Sequence, residues 1–532
     1  MGITMTMGAF RTFFLSYPEF LLAALCFVSL SALRLALRWW QRRGGSSSLP
    51  VRWPVVGMLP FVLRNRGRLL DAATAVLRDS GFTFMFGGPW LARADFLVTC
   101  DPAAVRHCLA ANFSRYDKGR DFAEMFDIIG DGLLVSEAAS WVGKRHIAVS
   151  VFAAPAFRSF VISTVFRQTR RLLVPFLDHH AATGISSNAI ELEEVFMRFA
   201  LDVTYASVFA ADIDSLSIEA AGAPFPPFGE ATRITGEAVM FRHVVPARWW
   251  KLLRWLNLGM ERRLAEARKV LDEFVYLEIA KRKADPLLQG EGGGDLLSMY
   301  MGWAAKADPA MTGPQRDAFL RDAAVGYMFA AKDLIAAALT WLFYMLCTHP
   351  RVEEKILHEL TSLRRPTPTD SPFTVFDGEA LRSASYLHAA VLETLRLHPP
   401  APFEEKEARG DDVLPDGTRV SEGTRVVFCI YAMGRMEGIW GEDCMEYKPE
   451  RWLSGGGQVR HEPSYKFAAF NSGPRSCLGK DLGLTNLKIA AAAIVYNFRV
   501  ELVEGHAVEP KDSVVLHAKN GLMVRVKRRV HE

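Results

Sequence analysis

Near the C-terminus, Phe470 to Gly479 reads FNSGPRSCLG, a pattern F-x-x-G-x-R-x-C-x-G that can present one thiol at the head of a helix. Gly473 and Pro474 bend the chain, and Cys477 stands just before the helical pattern Asp481 to Tyr496. A helix start offers unsatisfied N–H groups and positive potential, which favour thiolate over thiol. A thiolate is a soft anionic ligand for iron and pushes electron density toward bound O2, favouring O–O cleavage. Gly479 leaves the backbone free to approach a flat macrocycle closely. A single intracellular cysteine is most often a small buried hydrophobe; the surrounding pattern sets this one apart.

Other groups lie upstream. Glu393 and Arg396 are one helical turn apart and share a face, and Arg451 follows within Pro449-Glu450-Arg451-Trp452. On a solvated surface such a pair contributes little. Trp141 and Arg145 stand at i and i+4. Arginine's planar fork suits a carboxylate because it binds both oxygens.

Long helices and small sheets must position these groups. Apolar residues recur at spacings of three and four through Ile190 to Phe209, Gly259 to Lys283, Gln315 to Thr348, Arg351 to Leu363 and Gly378 to Leu397. As one helix, Gln315 to Thr348 would run about 50 Å, with Thr312 placed to cap it and Pro350 to stop it. Strand-like runs occupy Phe82 to Phe86, Phe96 to Thr99 and Arg425 to Ile430, and a closing hairpin is expected within Ser513 to Val526. The pattern predicts a mainly α body with small β-sheets. Pro224 to Pro227, Gln289 to Gly294 and Ser454 to Gly457 read as surface loops.

Composition narrows the class. The 532 residues are 50% hydrophobic and 23% charged, with 63 Lys and Arg against 59 Asp and Glu for a net charge of +4. That is neither a disordered chain nor a polycation for nucleic acid. The seven cysteines lack CxxC spacing, form no disulfide framework and suit a reducing compartment. Phe20 to Leu33 carries no charge; Arg11 alone precedes it, while Arg34, Arg38, Arg42 and Arg43 follow. That order is the reverse of a cleavable signal peptide and places the downstream side in the cytosol. Residues 1–43 are expected to form one membrane anchor with its flanks, residues 44–60 a Gly/Ser- and Pro-rich hinge, and residues 61–532 a catalytic domain.

On FNSGPRSCLG, on Glu393 to Arg396 as ExxR, on Pro449 to Trp452 as PERW, and on Trp141 with Arg145 as WxxxR, the chain from about residue 50 to its end resembles the cytochrome P-450 superfamily of haem-thiolate monooxygenases. Gly130 to Trp141, Trp249 to Tyr276, Asp411 to Trp452 and Phe470 to Leu482 resemble most the plant group that hydroxylates fatty acids and alkanes. The resemblance implies a helix-rich haem domain with a long central helix, preceded by one transmembrane helix. It implies haem b held by Cys477, with Phe470, Gly473 and Gly479 shaping the ligand loop, and Trp141, Arg145 and Arg475 directed at the haem propionates. Glu393, Arg396 and Arg451 would form a structural charge cluster. Electrons would come from NADPH through a cytochrome P-450 reductase, at the endoplasmic reticulum membrane, for an apolar substrate drawn from the bilayer. Lys144, Arg145, His146, Lys466, Lys480 and Lys488 are candidate docking residues for that partner. The Phe113 to Val135 region and the loops near Phe225 to Val245 are candidates for an access channel.

The family's AGRDTT, expected over the distal haem face, stands here as Ala330, Ala331, Lys332, Asp333, Leu334, Ile335. Ala331 replaces the glycine, and Leu334 and Ile335 replace both threonines. The hydroxyl that helps to deliver protons is gone, while Asp333 remains. Ala330, Ala331, Asp333 and Leu334 are thus the candidate distal residues. Protons could arrive through Asp333 and ordered water, the favoured reading, or hydroxylation could be weakened. Alternatively, an isomerase or dehydratase could act on an oxygenated lipid without a redox partner. A haem-binding sensor without turnover is the remaining alternative.

Overall fold

One helix, Gly313–Thr348, supports the rest. It has 36 residues and begins slightly before its apolar period, because Thr312 and Gln315 form a capping box and Pro314 is accommodated in the first turn. It stops where Pro350 opens the next helix, Pro350–Leu363. Leu339, Leu342, Phe343 and Leu346 are buried and pack with Val195, Phe196 and Phe199 of the Leu192–Phe209 helix. Each such side chain contributes about 1.5–3 kcal/mol on burial. Among the described residues, this is the one helix long and apolar enough to cross a membrane, and most of it is buried in protein. It is a core helix.

The structure, a computed structural model, describes residue 29 and residues 49–90, 95–182, 189–220, 222–284, 293–307, 311–364 and 372–531. Apart from residue 29, the expected anchor lies outside the described residues. Pro50–Glu532 forms one compact unit.

Among the described residues, ten short strands accompany the helices: β1 Thr83–Phe86, β2 Phe96–Thr99, β3 Tyr116–Asp117, β4 Ile190–Glu191, β5 Phe403–Ala408, β6 Asp412–Val413, β7 Arg419–Val420, β8 Arg425–Cys429, β9 Phe498–Leu502 and β10 Met523–Arg528. The largest sheet has five strands in the order β1-β2-β8-β5-β3, with β2 and β8 parallel. Its strand β5 has no counterpart in the sequence reading. The closing hairpin is also different from expectation. β10 pairs antiparallel with β9, Val524 opposite Leu502, and the Ser513 to Val526 stretch supplies only β10 and one bridge, Pro510 to Ala518. β9 follows the Lys480–Asn497 helix without a loop, so no turn signal marks its start.

The Ser385–Leu397 helix is shorter than its predicted extent because a 3-10 turn, Ala380–Arg382, precedes it. Glu359 caps it from a neighbouring helix, accepting from the backbone N–H of Tyr386 at 2.8 Å and of Leu387 at 2.9 Å. The helix presents Glu393, with no exposed surface, and Arg396, 2% exposed. Arg396 Nε and Nη2 donate to the two Glu393 oxygens, each at 2.8 Å. Glu393 also accepts from Trp452 Nε1 at 2.9 Å, Lys448 N–H at 3.0 Å and Arg451 Nε at 3.4 Å. The remaining Arg396 donors reach the carbonyls of Gly434, Cys444 and Glu446. The expected charge cluster is thus formed, and every charge in it is compensated.

Breaking it leaves a buried charge without a partner. Glu393→Ala or Arg396→Met is expected to destabilise the fold by about 3–5 kcal/mol, read as a fall in thermal midpoint. Surface Arg382→Ala, whose partner Glu379 is also exposed, should change it by less than about 0.5 kcal/mol.

Candidate active site

The segment ending in Cys477 is a run of tight turns. Ala468–Phe470 and Gly473–Arg475 are single 3-10 turns, and Asn471 (φ +61°) and Gly473 (φ +68°) adopt left-handed backbone. Gly473 cannot carry a side chain, because a Cβ there would lie 1.8 Å from the Leu109 carbonyl oxygen. The Phe470 carbonyl accepts from Cys477 N–H at 2.8 Å and closes the loop. Gly479 caps the Lys480–Asn497 helix. A Cβ on Gly479 would meet Cys477 Sγ and Phe152 at an ordinary 3.8 Å. Nothing in the protein itself demands glycine there, which suits a position that makes room for a bound group.

An aromatic ladder ties this loop to the charge cluster. Trp440 packs on Trp452 at 5.7 Å between ring centroids, Trp452 on Phe467 at 4.7 Å, and Phe467 on Phe470 at 6.3 Å. Since Trp452 donates to Glu393, the position of Cys477 is coupled to the buried carboxylate through packed rings.

Protein surrounds Cys477 on most sides, yet the residue is exposed. The helix start does not bring the thiol below its ordinary range, as the sequence suggested. Burial pushes it up, and the Gly479 N–H, Arg145 and Lys480 offset only part of that. Coordination to a metal deprotonates a thiol outright.

Beside the thiol stands a group of cations, Lys118 and Lys406 buried and Arg145 and Arg475 half-buried. Arg145 donates from Nη2 to the Ser476 carbonyl at 2.7 Å. Arg475 bonds Glu137 at 2.8 Å and the Ser136 carbonyl at 2.6 Å, with its guanidinium 4.7 Å over the Trp141 ring. Lys118 bonds Glu404 at 2.7 Å. Lys406 lies 5.5 Å from the centre of Phe113, whose ring packs on Trp141 at 5.3 Å. Among the described residues, Lys406 Nζ and Arg475 Nε are buried without a hydrogen-bond partner. Burial, then Lys118, pulls the Lys406 ammonium down to about 7. Burial raises Glu404, but Lys118 and Lys406 outweigh it and hold the carboxyl below its usual range.

Four cations therefore face two carboxylates, Glu137 and Glu404, and two donors remain unsatisfied. Such a site fits a planar group that carries two carboxylates, as haem does. Trp141, Arg145 and Arg475 come together as expected. Lys118 and Lys406 are additional. Phe403 to Arg409, FEEKEAR, is rich in charge and carries no apolar pattern that marks a strand; the alternation of β5 puts Glu404, Lys406 and Ala408 on one face.

In the middle of the central helix, Ala330 is exposed and Tyr327, Ala331 and Leu334 are half-buried. Their spacing of three and four places them on one face in the middle of the helix, beside the buried Met328, Lys332 and Asp333. Tyr327 lies close enough to Cys477 that the sulfur, after burial, helps to push its phenol up. Asp333 is 7% exposed and paired with Lys332.

The expected docking cluster does not form a surface of free cations. Lys488 is buried and donates to the Leu381 carbonyl at 2.7 Å. Lys144 bonds Asp131 and Ser136, Lys466 pairs with Glu462 and Arg145 lies on the ligand loop. Of the six, only His146 is exposed. Position in sequence does not reveal which side of a helix is covered.

The Lys406 site has a pH signature. Without a carboxylate ligand Lys406 loses its proton above about 7, whereas a bound propionate requires the ammonium and raises its pKa. Binding therefore takes up a proton, and haem affinity should fall as pH rises above that value. Haem titration of depleted protein, followed by absorbance, checks this. Lys406→Met should weaken binding about tenfold and flatten the pH dependence.

The family model for cytochrome P450 matches residues 48–525. Noroxomaritidine synthase 2 of Narcissus aff. pseudonarcissus MK-2014 is 41% identical over 519 residues, covering 96% of this chain and 97% of that protein. Alkane hydroxylase MAH1 of Arabidopsis thaliana is 38% identical, covering 92% and 95%. Cytochrome P450 86B1 of the same plant is also 38% identical, covering 96% and 89%. Two differently named activities stand at nearly equal identity, so similarity alone assigns no substrate. What the family match and the alignments across nearly the whole chain establish is membership: this chain belongs to the cytochrome P450 family and is a haem-thiolate monooxygenase.

Proposed function

We propose that this enzyme hydroxylates a long aliphatic lipid, a fatty acid or an alkane of the wax or cutin type. The open face of the central helix carries the reading: Ala330, Ala331 and Leu334 bring it neither a hydroxyl nor a charge. Away from that face, Val325 and Met328 of the same helix pack in the core with Phe122, Ile128, Ile129 and Val135. An open apolar face of this kind suits an alkyl chain.

Membrane attachment through residues 1–43, with residues 44–60 as a hinge and the catalytic domain on the cytosolic side of the endoplasmic reticulum, completes the proposal. A surface of the described body supports it. On the Ala247–Leu256 helix, Trp249 is 62% and Trp255 80% exposed, beside exposed Leu252 and Leu256. Arg248, Lys251 and Arg254 interleave with them. Buried Trp250 holds the helix in place beneath Arg242 and Arg254, at 4.9 and 4.7 Å. Exposed tryptophan and leucine among basic residues suit a bilayer interface, where an apolar substrate is concentrated.

In this reading Cys477 is the iron ligand, and Phe470, Gly473 and Gly479 shape its loop. Lys118, Arg145, Lys406 and Arg475 hold the propionates, with Trp141 packed beside Arg475. Glu393, Arg396 and Arg451 are structural. When bound, haem-thiolate iron supplies reductive activation of O2 with two electrons from NADPH through a reductase. The apolar face of the central helix aligns the chain, and Asp333 with ordered water carries protons where Leu334 has no hydroxyl.

Reconstitution with reductase and a mixed panel of long fatty acids and alkanes tests the substrate. Hydroxylated products in step with NADPH and O2 are expected, and a panel without aliphatic product overturns the proposal. Leu334→Thr should change turnover by less than about twofold if protons travel through Asp333. Replacing Trp249 and Trp255 together by Ser should raise KM for vesicle-dissolved substrate about fivefold at unchanged kcat.

A further inference from the structure

Lys332 has no exposed surface. An ammonium so deep persists only when it is paired. Its Nζ donates to Asp333 Oδ1, the one hydrogen bond it makes among the described residues. Its other close neighbour is the Phe225 ring, 5.9 Å away. An ammonium has three donors, so two remain for water.

The helix geometry gives this pair a direction. Successive residues on a helix point about 100° apart. With Tyr327, Ala330, Ala331 and Leu334 on the open face, Asp333 falls at its border and Lys332 on the far side. The two side chains meet through the bond from Lys332 Nζ to Asp333 Oδ1. Asp333 is therefore held from the side away from that face, on which Leu334 stands without a hydroxyl.

We propose that Lys332 is a positioning residue for Asp333, fixing its carboxylate at the border of the open face and ordering the water that brings protons there. The proposal rests on the role given above to Asp333. A proton leaving this water is replaced from solvent along the same path, so neither side chain changes charge over a turnover. Lys332 touches neither substrate nor reacting atoms and acts only through its neighbour.

The test compares Lys332→Arg, Lys332→Met, Asp333→Asn and the double variant Lys332→Met/Asp333→Asn in full-length enzyme with reductase, using palmitic acid and hexadecane as probes. Product formed per NADPH consumed should fall about tenfold in Lys332→Met, with hydrogen peroxide making up the difference and a larger solvent isotope effect. Lys332→Arg should stay within about twofold of the parent. The absorption band with carbon monoxide should be unchanged throughout. A second readout needs no turnover: the Asp333 carboxylate stretch, isolated as the infrared difference between parent and Asp333→Asn in the resting ferric protein, should move in Lys332→Met and stay in Lys332→Arg.

If Lys332→Met leaves Asp333 unpaired and fails to fold, the double variant, which removes both charges, should fold and show the same loss as Asp333→Asn. An unmoved carboxylate band or unchanged coupling in Lys332→Met overturns the proposal. So does failure of the double variant to fold, which assigns the pair to packing. Unchanged coupling in Asp333→Asn instead overturns the role of Asp333 itself.

Discussion

The Glu393 carboxylate has no exposed surface, and the placement of the thiol follows from how it is satisfied. A charge at that depth is tolerated only with full pairing and hydrogen bonding. Arg396, Trp452, Lys448 N–H and Arg451 all donate to it. Meeting that demand fixes the Ser385–Leu397 helix against the segment from Gly434 to Trp452. A Cβ on Gly434 would lie 2.0 Å from the Arg396 carbonyl, which shows how closely the two backbones approach. From Trp452 the contacts run through Phe467 to Phe470, whose carbonyl bonds Cys477 N–H. A buried charge far from the chemistry thus becomes a positional constraint on the sulfur.

The two sides of the site are built on opposite principles. At the charge cluster every donor has an acceptor. Beside the ligand loop, Lys406 Nζ and Arg475 Nε are buried with none, and burial pulls Lys406 down toward neutrality. Such groups are costly in the protein alone. A dianionic group would offset that cost, which is the part proposed for the haem propionates. The raised Cys477 thiol has the same character: the protein alone does not stabilise the anion, and a metal does.

Much of this was legible in sequence where local chemistry decides the structure. Gly473 and Cys477 were readable because the turn tolerates few residue types. The central helix was readable because its cap, period and stop all lie in its own sequence. The sheet was less so. β9 begins without a turn after a helix, and β10 takes it as partner over a long loop, so the expected local hairpin gave way to a non-local pairing. Four of the six basic residues grouped for docking proved to have intramolecular partners, among them Lys488 on the Leu381 carbonyl and Lys144 on Asp131.

By itself, the sequence determined the mainly α class, the central helix, the ligand loop, the charge cluster and the missing hydroxyl at Leu334, because each is written in residue type and short spacing. Tertiary structure alone decided which charges are buried. Lys118 and Lys406 come from β3's flank and β5, far apart in the chain, and become haem-facing candidates only when the five-stranded sheet brings them beside Arg475. Lys332 reads as one more helix charge until packing removes it from water. Burial is a property of the whole fold, and it is burial that turns an ordinary lysine into a group that must find a partner.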